Sequence, residues 1–171
     1  HFLQYPPGAT HVSSYVESRG GAYDRTLFFG LQGWIRDALL TPFSARDIDE
    51  AEEFWTAHGE PFNRAGWEHI LKAHGGFLPL RIEALPEGSG VRTHTALAQA
   101  CNLDPAVPWL TSYIETALLR AIWYPTTVAT RSKAIQGIIR AALERTSDDA
   151  AGQLPFKLHD FGARGVSSLQ S

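Results

Sequence analysis

The spacing of hydrophobic residues predicts both strands and helices in this chain. Apolar and polar residues alternate over 11–19 and 78–85, a pattern typical of strands with one buried face. The turn PEGSG at 86–90 follows the second of these segments and predicts a partner strand at 95–103. A further strand end is predicted near Leu27, directly before a helix. Because the strands alternate only loosely with helices, the pattern predicts the α/β fold class, with α+β character in this segment.

Two helices carry clear start and stop signals. Ser44 predicts the N-cap of a helix that ends at Gly59. Asn63 predicts the N-cap of a second helix, which ends at Gly75 because glycine readily adopts the left-handed conformation found after helices. Helical spacing predicts inward-facing side chains at Ile48, Ala51, Phe54 and Trp55 in the first helix, and at Trp67, Ile70 and Leu71 in the second.

A long helix is predicted to begin at Asp104 and to break at Pro125. The break is expected because proline has no amide hydrogen and its ring clashes with the preceding turn. Either Thr126 or Thr127 is then predicted to cap a separate helix that runs to Thr146. The inward-facing residues of that helix are predicted to be Ile135, Ile138, Ile139 and Ala142. A loop is expected at 147–155.

The composition indicates an ordinary folded protein. The chain has 171 residues, 44% of them hydrophobic, and a formal net charge of -3, so no surface for nucleic acid is expected. The single cysteine, Cys101, excludes an internal disulfide. No apolar run could span a bilayer and no signal-peptide pattern is present, so we expect a cytoplasmic protein without a membrane partner. Methionine is absent even from position 1, which predicts an internal segment of a longer chain.

The segment KLHDFGARGVSS at 157–168 is the strongest candidate for a functional site. A short strand is predicted at 156–160, and glycines after it could expose backbone amides with positive φ, an arrangement that binds anions. Arg164 adds a fork of donors suited to a phosphate or diphosphate, and Phe161 offers a ring face for a flat heterocycle. The alternative is a buried strand, a tight turn and a surface arginine.

Two other groups of residues have competing interpretations. Arg19 stands at a strand end before two glycines, where it could reach a phosphate or could simply be solvated beside Glu17. The histidines include His69 and His74, but their spacing is not that of a zinc-binding helix. We therefore predict no metal site, and place these two histidines on a helix surface and at a helix end.

The sequence resembles the N-terminal part of one enzyme family, the bacterial nicotinamide phosphoribosyltransferases. The most specific motifs are WYPTTVAT and HDFGARGVSS. Other matching segments occur in the family's order at 4–20, 28–32 and 66–88. The resemblance implies a type II phosphoribosyltransferase fold, with an N-terminal mixed α/β domain at 1–150 and, at 151–171, the first strand of an incomplete α/β barrel.

The resemblance also implies a reaction, transfer of the phosphoribosyl group from phosphoribosyl diphosphate to nicotinamide in NAD salvage. It implies Mg²⁺ as a cofactor, ATP as a possible stimulating co-substrate, and a homodimer whose active sites lie at the subunit interface. Phe161 would stack on the nicotinamide ring, and Arg164 would contact the ring amide and the diphosphate. Arg19 would reach a phosphate across the interface. The residues expected to line the pocket or its entrance are Lys157, His159 and Asp160; no catalytic residue is assigned.

Three alternatives to this function stay open. A nicotinate phosphoribosyltransferase has the same fold, but such enzymes tend to carry an arginine where this chain has Gly165. A non-catalytic, truncated dimerisation module would also suit the many aromatic residues, and a metal hydrolase using the histidines is the weakest idea. In the family pattern a second stacking tyrosine precedes His1, and other active-site residues follow Ser171. The 171 residues alone are therefore expected to be inactive.

Overall fold

A three-stranded sheet forms from β1 (Ser13–Glu17), β3 (Leu80–Ala84) and β5 (Ala96–Asn102), in the order β1-β5-β3. The computed structural model describes residues 2–166. Strands β3 and β5 run antiparallel, with Leu80 opposite Asn102 and Ala84 opposite Ala98. This pairing confirms the strands predicted on either side of the turn at 86–90. A second, two-stranded sheet pairs β2 (Arg25–Leu27) with β4 (Gly90–Arg92). Strand β4 was not predicted, because three residues are too few to show an alternating pattern.

The helices occupy most of the remaining chain. They are α1 (Leu31–Trp34), which continues as a π-helical turn (Ile35–Leu39), α2 (Ala45–Ala57), α3 (Arg64–His74), α4 (Leu110–Tyr113), α5 (Glu115–Thr146) and α6 (Ala150–Gln153). Two 3₁₀ turns follow, at Leu154–Phe156 and Gly162–Arg164. The loop predicted at 147–155 therefore contains a short helix. Among the described residues, α5 is the longest helix with 32 residues, yet no helix is both long and apolar enough to cross a lipid bilayer.

The residues fall into two compact units, each built from three stretches of sequence. The first unit comprises His1–Val16, Gln32–Ala84 and Ala98–Leu118. The second unit comprises Glu17–Leu31, Leu85–Leu97 and Leu119–Ser171. The domain boundary expected at residue 150 stays a prediction.

Helix α2 in the first unit begins as predicted, but its apolar stripe is narrower than expected. The hydroxyl oxygen of Ser44 accepts a hydrogen bond from the Asp47 amide, and the Asp47 carboxylate accepts one from the Ser44 amide, which completes a capping box. Ile48 is 3% exposed, as predicted. Phe54 is 58% exposed, so its predicted burial is wrong. Its ring packs instead on the ring of His58, at a centroid distance of 4.3 Å on the same exposed side of the helix.

The core of the first unit forms around helix α3. Ile70 is fully buried with Val107, Trp109 and Leu110, and Trp67 packs against this cluster, as its spacing predicted. Side-chain hydrogen bonds then connect α3 to α2. Arg64 donates to Asp49 at 2.7 Å and to Glu52 at 2.5 Å, which are both on α2.

Helix α5 runs through Pro125, so the predicted break is wrong. Proline cannot donate to the carbonyl oxygen of Ala121, one turn earlier, and an isolated helix would usually kink there. In the second unit the backbone of Gly30 packs directly on this turn. A methyl group at Gly30 would lie 2.4 Å from the Ala121 carbonyl oxygen and 2.9 Å from the Pro125 ring. Tertiary packing therefore supports the helix where its own hydrogen-bond pattern is interrupted.

Two further expectations for the second unit are corrected. Ile138 is 73% exposed, although helical spacing predicted it to face inward, because no described residue covers that part of α5. The residues 156–160 do not form a strand, and no described strand pairs with them. A strand needs a neighbour to accept its backbone hydrogen bonds, and here the backbone turns in the 3₁₀ geometry on both sides of the segment. The predicted first strand of a barrel is thus absent from the described residues.

The contact at Gly30 yields a stability prediction. Gly30 has a φ of 107°, which is unfavourable for residues with a side chain, and its added methyl group would clash. We expect Gly30→Ala to lower the free energy of unfolding of the intact protein by roughly 2–5 kcal/mol, measured by urea denaturation.

The matched control is Gly137→Ala, in the same unit. Gly137 lies inside α5, and beyond its own helical turn no atom of the described residues lies within 4 Å of the position of a new methyl group. This change should therefore raise stability by about 0.5–1 kcal/mol. Equal stability of the Gly30→Ala variant and the unchanged protein would show that the close contact does not exist.

Candidate functional site

The predicted anion-binding segment forms a tight 3₁₀ turn. The Arg164 amide donates to the Phe161 carbonyl oxygen at 3.2 Å, and the Gly165 amide donates to the Gly162 carbonyl oxygen at 2.8 Å. Neither glycine has a positive φ. The predicted nest of free amides is therefore wrong, because the turn uses these amides internally. The last two residues of the segment, Ser167 and Ser168, lie outside the described residues.

Phe161 is the N-cap of this turn and Arg164 is its last residue, so the two side chains stand three positions apart in the chain. Phe161 is 73% exposed, and Arg164 is exposed, with no hydrogen bond or ion pair from its guanidinium to any residue among 2–166. The alternative of a buried strand is thus excluded for this ring. An aromatic ring and an unpaired guanidinium, three residues apart, are therefore both exposed to a flat, anionic ligand.

The three predicted pocket residues precede this pair. Asp160 accepts a hydrogen bond from the Gly162 amide at 2.7 Å, which fixes its carboxylate at the start of the turn. His159 lies with Nε2 3.1 Å from the Phe156 carbonyl oxygen, so that nitrogen donates. Lys157 is exposed. One carboxylate, one imidazole and one ammonium group thus lie within four residues of Phe161 along the chain.

Arg19 lies in the second unit, as Phe161 and Arg164 do. It is exposed and stands two residues after the end of β1. The strand end is held by the His94 amide, which donates to the Ser18 carbonyl oxygen at 2.8 Å. The sequence suggested Glu17 as a partner for Arg19. Instead, Oε1 of Glu17 lies 3.5 Å from Nδ1 of His94. Within residues 2–166, Arg19 makes no hydrogen bond or ion pair, so the structure does not join it to the residues at 157–164.

The threonine cluster after Pro125 binds backbone groups, although not as the caps of a helix start. The Thr126 hydroxyl accepts from the Phe29 amide at 3.1 Å and donates to the Phe29 carbonyl oxygen at 3.0 Å. Thr130 accepts from the Leu27 amide at 2.9 Å. These hydroxyl groups attach the segment 27–29 to the side of α5. The prediction that Thr126 or Thr127 caps a helix is wrong because the helix is continuous there.

Valine substitution separates the role of Thr126 from that of its neighbour. Thr126 is 6% exposed, so Thr126→Val leaves the Phe29 amide and carbonyl without their partner. We expect a loss of about 1–3 kcal/mol of unfolding free energy in urea denaturation. The hydroxyl of the exposed Thr127 bonds only to the Trp123 carbonyl oxygen of its own helix, so Thr127→Val should cost well under about 1 kcal/mol. Similar costs for both variants would contradict this assignment.

Two histidines and an aspartate form a cluster in the first unit that the sequence did not predict. The Nε2 atoms of His69 and His74 each lie 2.7 Å from Oδ2 of Asp104. Hydrogen bonds from His74, from the Ala106 amide and from His69 hold the pKa of the Asp104 carboxyl well below its usual range. Residues five apart point about 140° away from each other on an ideal helix. No spacing rule could therefore have revealed that His74, at the end of α3, turns back to the same carboxylate.

The first unit also contains an aromatic cleft of about 330 Å³. It is lined by several rings, including Trp55, Trp67, Trp109 and Tyr113. Burial raises the pKa of the Tyr113 hydroxyl. None of the residues that the sequence singled out for substrate binding lines this cleft. The cleft and the predicted substrate-binding residues are therefore in different places. We take the exposed residues near Phe161 as the candidate site, because their hydrogen-bond donors suit a charged substrate.

Comparisons with known proteins agree on one family. The family model described as "Nicotinamide phosphoribosyltransferase, N-terminal domain" matches residues 1–82. The chain is 57% identical over 171 residues to a nicotinamide phosphoribosyltransferase of Xanthomonas campestris pv. campestris. The aligned residues make up 100% of this chain and 36% of the relative. A nicotinamide phosphoribosyltransferase of Acinetobacter baylyi is 29% identical over 187 residues, covering 99% of this chain and 36% of the relative.

A solved structure supports the fold. The crystal structure of human nicotinic acid phosphoribosyltransferase matches with a TM-score of 0.57 at 22% identity, over 78% of this chain and 25% of that chain. The fold is accordingly that of the N-terminal domain of the type II phosphoribosyltransferases. Within this class, the chain is similar over its whole length to nicotinamide phosphoribosyltransferases, and its residues 1–82 match the N-terminal domain of that family. It spans about a third of the length of the curated relatives it matches.

Proposed function

We propose that the protein containing this chain transfers the phosphoribosyl group of phosphoribosyl diphosphate to nicotinamide in NAD salvage. The products are nicotinamide mononucleotide and diphosphate. The observation that carries the proposal is the exposed pair of Phe161 and Arg164, in a chain that is 57% identical along its whole length to a nicotinamide phosphoribosyltransferase. The pair offers the two contacts that the reaction needs, a surface for a pyridine ring and a cation for a phosphate.

The proposed chemistry requires stabilisation of charge at two points. The lone pair of the pyridine nitrogen attacks the anomeric carbon of the ribose, and the bond from that carbon to the diphosphate oxygen breaks. The electron pair leaves with the diphosphate, while the ring nitrogen becomes a pyridinium. Arg164 would neutralise charge that develops on the departing diphosphate. Stacking on Phe161 holds the ring in line for attack, which reduces the loss of orientational entropy in the transition state.

The neighbouring residues have supporting roles in this proposal. Lys157 and Arg19 contribute positive charge toward the phosphates, and His159 and Asp160 line the pocket entrance. Mg²⁺ prefers phosphate and carboxylate oxygens. Of the proposed site residues only Asp160 carries a carboxylate. The substrate's diphosphate would therefore supply most of the oxygen ligands of the ion, with Asp160 beside it. When bound, Mg²⁺ neutralises part of the diphosphate charge. ATP is proposed as a stimulating co-substrate.

We propose that the protein is a cytoplasmic homodimer with shared active sites. Phe161 is 73% exposed within the described residues, which leaves its ring free to form one side of an aromatic sandwich. A tyrosine of the partner subunit would complete the sandwich, and Arg19 would reach the partner's bound phosphate. The exposed aromatic side chains support association, because covering a large apolar side chain with another subunit contributes favourably to the free energy of association.

Two phenylalanines of equal exposure provide a test of the stacking role. Phe156 and Phe161 are each 73% exposed, but only Phe161 lies in the turn with Arg164. In the intact protein, Phe161→Ala should raise the KM for nicotinamide about tenfold, because the stacking contact is lost. Phe156→Ala should leave KM within about twofold. Steady-state kinetics at saturating phosphoribosyl diphosphate give both values, and equal effects would remove Phe161 from the site.

The charge role of Arg164 predicts a different kinetic signature. Arg164→Ala should lower kcat by about 100-fold or more, since the diphosphate loses a cation where its charge develops. Arg140→Ala, on the exposed surface of α5, is the control and should leave kcat unchanged. An Arg164→Ala variant with full kcat would show that this guanidinium does not act on the leaving group.

Substrate competition distinguishes the proposed function from its closest rival. Gly165 leaves the position after Arg164 without a second cation, so an uncharged amide should be preferred over a carboxylate. With both substrates present, the intact protein should consume nicotinamide faster than nicotinate. Faster use of nicotinate would assign the rival activity. Calorimetry that detects no binding of phosphoribosyl diphosphate would support the non-catalytic dimerisation module instead.

A further inference from the structure

The cluster of His69, His74 and Asp104 brings three metal-binding groups to one point. The candidate ligand atoms, two imidazole nitrogens and one carboxylate oxygen, lie within 4.8 Å of one another. Both imidazoles present Nε2 to the same oxygen, and their rings are 6.1 Å apart at an interplanar angle of 73°. The two rings therefore converge on a common position from different directions.

The carboxylate at this point is held in place by the backbone around it. Oδ1 of Asp104 accepts a hydrogen bond from the Ala106 amide at 2.8 Å. The Asp104 carbonyl oxygen accepts from the side chain of Asn102 at 2.8 Å, and Asn102 is 1% exposed. Oδ2 is thus left to point at the histidines. Support of this kind, in which a ligand's other atoms are fixed by hydrogen bonds, is typical of protein metal sites.

We propose that His69, His74 and Asp104 bind a zinc ion, which connects the end of α3 to the loop before α4. Neutral imidazole and carboxylate are a zinc donor set, and three protein ligands leave a fourth position for water. Ligand atoms around tetrahedral zinc are about 3.3 Å apart, so the contacts of 2.7 Å must open by roughly half an ångström. The side chains of His69 and His74 are 40% and 32% exposed, which gives them room to move and gives water access.

This proposal revises the expectation that the chain has no metal site. It is independent of the proposed transferase activity and of its magnesium requirement. Mg²⁺ favours oxygen ligands in an octahedral arrangement, so it should not compete for a site with two imidazoles. The alternative is that the cluster acts only through hydrogen bonds, with Asp104 accepting from two neutral imidazoles.

Glutamine substitution separates these two cases. The glutamine amide can donate a hydrogen bond to Asp104, as a histidine does, but it is a poor zinc ligand. The intact protein is first depleted of metal with a chelator and then titrated with ZnCl₂ by calorimetry and by metal analysis after dialysis. Because other residues of the intact protein could bind zinc, the informative quantity is the difference between variants.

We expect the double variant His69→Gln/His74→Gln to bind one zinc ion fewer per chain than the unchanged protein. The control His58→Gln, at an exposed histidine of the same unit, should keep the full number. A single His74→Gln change should weaken zinc binding about tenfold or more. An equal zinc content in the double variant and the control would overturn the proposal.

A second measurement uses only the unchanged protein, in case the double variant fails to fold. Zinc that bridges α3 and the loop before α4 stabilises the folded state by binding to it preferentially. ZnCl₂ should therefore raise the midpoint of thermal unfolding of the metal-depleted protein, whereas MgCl₂ at the same concentration should not. An unchanged midpoint with zinc would contradict the bridge.

Discussion

The second unit depends on how the segment 27–30 lies against helix α5. Pro125 removes one hydrogen bond from that helix, yet the helix continues, because the backbone of Gly30 packs on the Ala121 carbonyl oxygen. Hydroxyl groups of Thr126 and Thr130 bind the backbone of the same segment. Phe28, in the same segment, is fully buried. Proline, glycine and threonine thus act together: one interrupts the helix, the second permits close approach, and the third supplies hydrogen bonds to the backbone that approaches.

The proposed site has the opposite character, since its important groups are exposed and unpaired. Arg164 has no ion pair within the described residues, and Phe161 keeps most of its surface in contact with solvent. An exposed cation that has no internal partner contributes little to the stability of the fold. The same arrangement leaves both groups available to a substrate that is flat at one end and anionic at the other. This contrast between a well-supported scaffold and an unsatisfied surface is typical of binding sites.

Local signals in the sequence predicted local structure well. The capping box at Ser44 and the strand pair around the turn at 86–90 follow from short-range chemistry and are confirmed. The errors involve contacts between distant residues. Pro125 was expected to break a helix because the sequence does not reveal the support from Gly30.

The candidate sites show the same limit. Exposure of Phe161 could not be predicted, because a ring in a short apolar segment is as compatible with a buried strand as with a surface turn. The approach of His69 and His74 to Asp104 joins residues 30 and 35 positions apart, which no sequence spacing encodes. Motifs therefore revealed the resemblance to nicotinamide phosphoribosyltransferases, while the placement of individual side chains required the folded chain.

The central claim is that Phe161 and Arg164 together receive a pyridine and a phosphate. The most direct test is a crystal structure of the intact protein with nicotinamide mononucleotide bound. We predict that the pyridinium ring lies parallel to the Phe161 ring, with the Arg164 guanidinium within hydrogen-bonding distance of the nucleotide. A nucleotide bound elsewhere, with both side chains still in solvent, would contradict the account.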